Sequence, residues 1–210
     1  MAVITSMAQP LGTHIGNALE VKDAIDVLAG RTQGDLLEIS LLLGSHMLVL
    51  AEKAKTLPEA RAMLENALSS GAGLRKLAEM IAAQGGDPRV VEDLSLLPQA
   101  AVKRVMRAET AGYLSAMDTT ALGMAAQRMG AGRAKKSDML DYSVGYVLHV
   151  RLGDEVTEDT PLATLYARNE AEAEEAEKAI RKALTIAKEK PQTPKLWDAV
   201  VTAEGITCNR

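Results

Sequence analysis

The sequence QPLGTHIGNALEVKD, residues 9–23, combines two turn signals with the start of a helix. Before it, the apolar, β-branched run from Met1 to Thr5 predicts a buried strand. Pro10-Leu11-Gly12 ends that strand, and Gly16-Asn17 can supply the positive φ that often precedes a helix. The apolar spacing then predicts a helix from Ala18 that stops at Gly30. A strand, an irregular loop and a helix N-terminus often bind a ligand in α/β proteins, although composition alone favours a structural turn.

Helices dominate the prediction for the rest of the first half. A long apolar segment begins at Gly34 or Asp35, and its apolar circumference predicts a buried core helix. A second helix is predicted between its N-cap Thr56 and Gly71, and a third from about Gly73 to Ala83. The segment 87–98 has two prolines and no sustained period, which is typical of a linker.

The second half mixes strands with helices. Thr119 is predicted to cap an apolar helix over 121–129, and an Ala/Glu/Lys-rich helix is predicted over 169–190. Trp197 is interpreted as the anchor of a last short strand, with a frayed end from Gly205. Further strands are predicted at 102–105, 112–117, 144–150 and 161–167. The pattern therefore predicts a mostly helical first part with an opening strand and, after the linker, a part that mixes strands and helices.

Composition narrows the class of protein. With 210 residues and 47% hydrophobic residues, the chain can build one large or two modest cores. A single cysteine, Cys208, fits a reducing compartment, and the N-terminus lacks a signal-peptide pattern, so a cytoplasmic location is expected. No run approaches the ~18 apolar residues of a membrane span. The net charge of −4, with Lys135-Lys136 as the main basic cluster, argues against a nucleic-acid partner.

Four motifs, taken in order, point to a family. They are MAQPLGTHIGNALEVKDAID at 7–26, GSHM and AEKA within 44–54, the segment 74–87 ending in AQGGD, and MGAGRAKKSD at 129–138 with the VGYVLH and Gly-Asp that follow it. In this order they closely resemble the C-terminal half of the pyrimidine-nucleoside phosphorylases and the related thymidine phosphorylases. The resemblance extends from residue 1 to about residue 168.

This resemblance implies a pentosyltransferase of pyrimidine metabolism. The reaction would convert a pyrimidine nucleoside and phosphate into the free base and a pentose 1-phosphate. Residues 1–97 would be the last part of the α/β catalytic domain, mostly helices plus an opening strand, and 98–210 the C-terminal α+β domain. The full-length form would be a homodimer.

The family's substrate-binding motifs have no counterpart in this chain. Neither its glycine-rich phosphate signature nor its Arg–Ser–Lys pyrimidine cluster is present. No residue is therefore assigned as catalytic or substrate-binding, and we expect the chain alone, as a C-terminal portion, to be inactive.

The resemblance also implies a monovalent cation site, with potassium as the ion. Its ligands would be the carbonyl oxygens of Leu11 and His14 and the carboxylate of Asp23, since hard cations prefer oxygen ligands. The family usually has Glu where this chain has Asp23, so the shorter side chain could act through a bridging water instead. The remaining ligands would come from the missing phosphate loop, which makes this a partial site.

A second class of function stays open. The pattern of a strand, Gly153-Asp154 and another strand resembles the hammerhead of biotinyl and lipoyl carrier domains. The chain would then be a non-catalytic folding or interaction module. Carrier activity itself is disfavoured, because Ser115-Ala116-Met117-Asp118, where a carrier presents its lysine, has none.

Other polar residues favour structural interpretations. His46 lies in an apolar helix pattern and His149 on a strand, where a hydrogen-bonded structural histidine is commoner than a ligand or base. Arg133, Lys135 and Lys136 could steer phosphate, but a solvated loop is the commoner explanation. No Ser/His/Asp or Cys/His set stands at a spacing that supports nucleophilic catalysis.

Overall fold

The computed structural model describes residues 1–209 and has an α+β architecture. All strand pairs within these residues are antiparallel. The chain divides into two compact units, which we call the helical unit, Lys22–Leu97, and the β-rich unit, Ala2–Val21 with the residues from Pro98 onward. These compact units are not the same as the predicted domains 1–97 and 98–210, which were defined by family resemblance. Those domain ranges stay a prediction.

The helical unit is built from local capping signals. Its helices are α1 (Asn17–Leu28, which starts in the β-rich unit), α2 (Asp35–Leu50), α3 (Leu57–Ser69) and α4 (Ala72–Ala83). Thr56 caps α3 as predicted, because its hydroxyl accepts a hydrogen bond from the Glu59 N–H at 3.3 Å. Gly30, with φ of 72°, follows the end of α1, as the sequence predicted.

Two expectations for this unit need correction. The predicted all-round burial of α2 is wrong, because the helix packs against α3 along one side and leaves Met47 and Leu50 68% and 65% exposed. The segment predicted as a linker folds into two short 3₁₀ turns, Pro88–Val91 and Leu94–Leu96. This segment packs against the apolar side of α4 through Val90 and Val91, which are buried there.

Among the described residues, the β-rich unit contains three small sheets, two complete helices and the start of α1. The sheets have the orders β2-β5-β7-β3, β6-β4-β8 and β1-β9-β10. The helices are α5 (Thr119–Ala126), which continues as a π-helical turn over Gln127–Ala131, and α6 (Glu170–Ala183). The strands are β1 (Ala2–Thr5), β2 (His14–Ile15), β3 (Val102–Arg107), β4 (Gly112–Met117), β5 (Gly145–Leu148), β6 (Glu155–Val156), β7 (Pro161–Ala167), β8 (Leu184–Ala187), β9 (Trp197–Thr202) and β10 (Gly205–Cys208).

The core of this unit lies between the inner sheet faces and helices α5 and α6. Alternate residues of β5 and β7 point inward, including Tyr146, Leu148 and Leu165, and α6 contributes Ala176 and Ile180. Burial raises the pKa of the Tyr146 phenol, whose O–H donates to the Leu122 carbonyl at 2.8 Å. The inward-facing strand residues and the buried side of α6 therefore pack together in one continuous core.

Three predicted elements of the β-rich unit change. The strand β1 forms, but it is an edge strand paired only with β9 and is mostly exposed rather than buried. The helix predicted to Lys190 ends at Ala183, because the following Leu-Thr-Ile-Ala pairs with β4 as β8. The residues predicted to fray from Gly205 form β10 against β9.

The cap of α5 is also corrected. Asp118, rather than Thr119, caps the helix, since its carboxylate accepts a hydrogen bond from the Ala121 N–H at 2.8 Å. Thr119 is the first residue of the helix, and its hydroxyl donates to the Met7 carbonyl at 3.4 Å. Across residues 1–209, the structure has no helix with both the length and the apolar character needed to cross a membrane.

Candidate functional site

The loop of residues 9–16 is fixed by a close approach of two glycines. Strand β2 within it pairs with β5, with His14 opposite Val147. Gly16 and Gly145 have φ of 138° and 147°. A Cβ on Gly16 would lie 2.5 Å from the Val144 carbonyl oxygen, and one on Gly145 only 2.1 Å from that of Ile15. Only glycine permits this contact, so the end of the loop is held directly beside β5, at the edge of the sheet.

Several donors at the helix start beside this loop are used within the fold. The Ala18 N–H donates to the Tyr142 carbonyl at 3.0 Å, and the Gly16 N–H donates to the Glu20 carboxylate at 3.3 Å. The Asn17 side-chain amide donates to the Ala131 carbonyl at 2.8 Å. These donors of the N-terminal turn therefore serve the fold, and the anion-binding alternative for this turn gains no support.

Arg151 contacts the loop from the segment after β5. Its guanidinium donates to the Pro10 carbonyl at 2.7 Å, the Gly12 carbonyl at 3.3 Å and the Leu11 carbonyl at 3.3 Å. The neighbouring Leu152 N–H donates to the Gln9 side-chain oxygen at 2.9 Å. Sequence reasoning missed this contact, because the partners lie about 140 positions apart and no local motif joins them.

The predicted cation ligands lie on this loop and on the helix after it. The Leu11 carbonyl oxygen is a hard ligand of the right kind, but it already accepts a hydrogen bond from a cationic group. The His14 imidazole hydrogen-bonds the Thr13 hydroxyl through Nδ1 at 3.0 Å. Asp23 lies on α1, in the part that belongs to the helical unit, and is buried. Within residues 1–209, no group of three or more His, Cys, Asp or Glu side chains is placed to hold a metal ion.

The basic loop after α5 is organised by one aspartate. The Asp138 carboxylate accepts hydrogen bonds from the Ala134 and Lys135 N–H groups at 3.1 and 2.8 Å, and its carbonyl accepts one from the Arg133 side chain at 3.1 Å. This is an aspartate-stabilised turn whose backbone donors are used internally. The arrangement agrees with the solvated-loop interpretation of Lys135 and Lys136.

The other histidines have structural surroundings. His149 hydrogen-bonds the Thr164 hydroxyl through Nε2 at 2.7 Å. Desolvation, and to a lesser degree the charge of Lys103, holds the pKa of His149 below its ordinary value. His46 is buried on α2, as the sequence predicted.

Described residues of each unit also line a cavity that the sequence did not indicate. In the β-rich unit, a cavity of about 340 Å³ lies beside the loop, lined by Met7, Pro10, Leu11, Ile15, Leu122 and Tyr146 among others. In the helical unit, a cavity of about 290 Å³ lies between the helices, lined mainly by apolar side chains such as Val27, Leu37 and Leu64. Neither brings together groups that suit acid, base or nucleophilic chemistry.

Comparison with known proteins identifies the family. A family model described as the pyrimidine nucleoside phosphorylase C-terminal domain matches residues 113–187. The chain is 51% identical over 170 residues to the pyrimidine-nucleoside phosphorylase of Bacillus subtilis (strain 168) and 49% identical over 170 residues to that of Geobacillus stearothermophilus. It is 44% identical over 187 residues to that of Staphylococcus aureus (strain USA300).

These matches cover most of this chain and a smaller share of each relative. They include 81% of this chain for the first two relatives and 89% for the third. They cover only 39%, 39% and 43% of the relatives, so the chain spans about two fifths of their length. The chain belongs to the pyrimidine-nucleoside phosphorylase family and corresponds to its C-terminal part.

Proposed function

We propose that this chain is the C-terminal part of a pentosyltransferase that splits pyrimidine nucleosides with phosphate. Phosphate displaces the base at the anomeric carbon, giving the free pyrimidine and a pentose 1-phosphate. The observation that carries the proposal is 51% identity over 170 residues to a protein named for that activity. The partners would be a pyrimidine nucleoside and phosphate, and the complete enzyme would be a homodimer.

In such a reaction the protein mainly positions the reactants and neutralises charge on the departing base. This chain would contribute the loop of residues 9–16 and the C-terminal domain, while the phosphate- and base-binding groups would come from the rest of the enzyme. Residues 1–97 would belong to its α/β domain. No residue of this chain is assigned a catalytic role.

The loop would hold a potassium ion as a partial site. The carbonyl oxygens of Leu11 and His14 and the carboxylate of Asp23, directly or through water, are the proposed ligands. One anionic and two neutral oxygens suit a singly charged hard cation. The support for this assignment is the sequence resemblance together with the pairing of β2, within the loop, to β5.

Complementation tests the proposed function. The purified chain is assayed for phosphorolysis of uridine and thymidine alone, and after mixing with the N-terminal portion of the Bacillus subtilis relative that this chain does not match. We expect activity only in the mixture. The N-terminal portion alone, and a mixture with the exposed-loop variant Lys136→Ala, serve as controls, the first inactive and the second fully active.

Absence of activity in every mixture, despite complex formation, would favour the alternative function. That alternative is a non-catalytic folding or interaction module with a hammerhead-like element formed by the strands flanking Gly153-Asp154. It would need no lysine on the Ser115–Asp118 segment and no cation.

A further inference from the structure

Three consecutive carbonyl groups of the loop share one cationic side chain. Nη1 of Arg151 lies 2.7 Å from the Pro10 oxygen and 3.3 Å from the Gly12 oxygen, and Nη2 lies 3.3 Å from the Leu11 oxygen. All four residues belong to the β-rich unit. The negative ends of three peptide dipoles thus meet at the guanidinium.

Hydrogen bonds on both sides hold this contact in place. The Arg151 N–H donates to the Asp154 carboxylate at 2.7 Å, and the Leu152 N–H donates to the Gln9 side chain at 2.9 Å. On the other side, the Leu148 N–H donates to the Thr13 carbonyl at 2.8 Å. The backbone that carries the guanidinium and the backbone that presents the carbonyls are therefore anchored to each other before and after Arg151.

A guanidinium and an alkali ion make similar demands on such a loop. Both carry one positive charge and both are satisfied by carbonyl oxygens. The guanidinium keeps its charge at every accessible pH, so its attraction for the three carbonyls is permanent. A potassium ion on the Leu11 oxygen would stand close to this fixed charge and be repelled by it.

We propose that the Arg151 guanidinium is the built-in cation of the loop and competes with potassium for the Leu11 carbonyl. The proposal rests on the proposed potassium site. Arg151 is a positioning residue here: it holds the loop in shape and keeps the potassium affinity of the chain low. Removing the guanidinium frees three neighbouring carbonyl oxygens from this contact and opens the loop to an added cation.

Thermal unfolding of the full chain in potassium chloride and lithium chloride at equal ionic strength tests this. The wild-type chain should have the same Tm in both salts. Arg151→Gln should be less stable in lithium and should regain roughly 2–4 °C as potassium rises well above its dissociation constant. Arg151→Lys, which keeps the charge, should stay insensitive to the choice of salt.

Arg133→Gln is the matched control. Arg133 also donates to a backbone carbonyl, that of Asp138, but in an exposed loop with no proposed cation site. This variant should show no potassium preference. A potassium preference that is present in the wild-type chain and lost in Arg151→Gln would overturn the proposal, as would equal Tm values for Arg151→Gln in the two salts.

If Arg151→Gln does not fold, a measurement on the wild-type chain tests the proposal instead. The guanidinium protons of Arg151, followed by NMR, should exchange slowly with water and at the same rate in the two salts at the concentrations used for the Tm measurements. Only a large excess of potassium chloride over those concentrations should accelerate their exchange more than equal lithium chloride. Fast exchange in both salts, or no acceleration at any potassium concentration, would contradict competition. The result is independent of the uridine assay, so failure of one proposal is distinguishable from failure of the other.

Discussion

The two units of this chain differ in how completely they bury their apolar side chains. The β-rich unit gathers more than twenty buried residues into one continuous cluster, and side chains such as Leu114 and Leu165 are fully buried. The helical unit has only two small clusters, each centred on three buried residues, and leaves Met47, Leu50 and Met80 more than half exposed. Because local stability follows buried apolar contact, the β-rich unit should be the stable part of the chain.

The largest expected effect is therefore a difference in protection between the units. Amide hydrogen exchange of the full chain should be about tenfold or more slower in β5 and β7 than in α2 and α3. Limited proteolysis should cut first within Lys22–Leu97, and the exposed apolar face of α2 should promote self-association at high concentration. Cleavage that removes the β-rich unit while the helical unit survives would reverse the comparison.

Truncating one leucine in each core sharpens this difference. Leu165→Ala, at a fully buried position, should lower the free energy of unfolding by about 3–5 kcal/mol, the upper part of the usual range. Leu37→Ala should lower the free energy of unfolding by only about 2 kcal/mol, because Leu37 already borders a cavity and its truncation removes fewer contacts. Urea unfolding followed by Trp197 fluorescence reports on the β-rich unit, and far-UV circular dichroism reports on the helices. Equal losses for the two variants would contradict the difference in packing.

The contact between the two glycines gives a smaller, local test within the β-rich unit. Gly145→Ala would place a Cβ 2.1 Å from the Ile15 carbonyl oxygen at a φ that favours glycine, and should cost about 1–3 kcal/mol. Gly123→Ala is the control, since no atom lies within 4 Å of its Cβ position in α5. This control should be neutral or stabilising by up to ~1 kcal/mol. If Gly145→Ala unfolds at the same urea concentration as wild type, the loop is not fixed by this contact.

Local signals in the sequence predicted much of this fold. The Thr56 cap, the stop at Gly30 and the strands Gly112–Met117 and Pro161–Ala167 are confirmed, because caps, glycines and alternation act over a few residues. The strand β8 was missed, because an Ala/Glu/Lys-rich helix pattern runs into it and its pairing with distant β4 decides its conformation.

The candidate site was less predictable than the fold. The loop was located from its turn residues, and family resemblance supplied Leu11, His14 and Asp23 as proposed ligands. The Arg151 contact was not predicted, since it depends on the antiparallel pairing of β2 with β5, which brings two distant segments together. A pairing of that kind leaves no periodic signal in either segment alone.

The smallest expected effect concerns His149, which directly follows β5 in the β-rich unit. Desolvation first, and the charge of Lys103 second, lower the pKa of His149 below 6.5 in the folded chain. The folded state then binds fewer protons than the unfolded state in the window from that lowered pKa up to 6.5. The free energy of unfolding is therefore higher above this window, and this gain is lost as the pH falls through the window.

NMR titration of the imidazole signals measures this pKa directly, and the chain has only three histidines to assign. Lys103→Met should move the pKa of His149 part of the way back towards 6.5, because it removes the smaller, Coulombic cause and leaves desolvation. Thr164→Val should perturb the signal of His149 as well, since the two side chains are hydrogen-bonded at 2.7 Å. A wild-type pKa at or above 6.5 would show that water and salt screen this surface, and the stability of the chain would then show no contribution from His149 in this window.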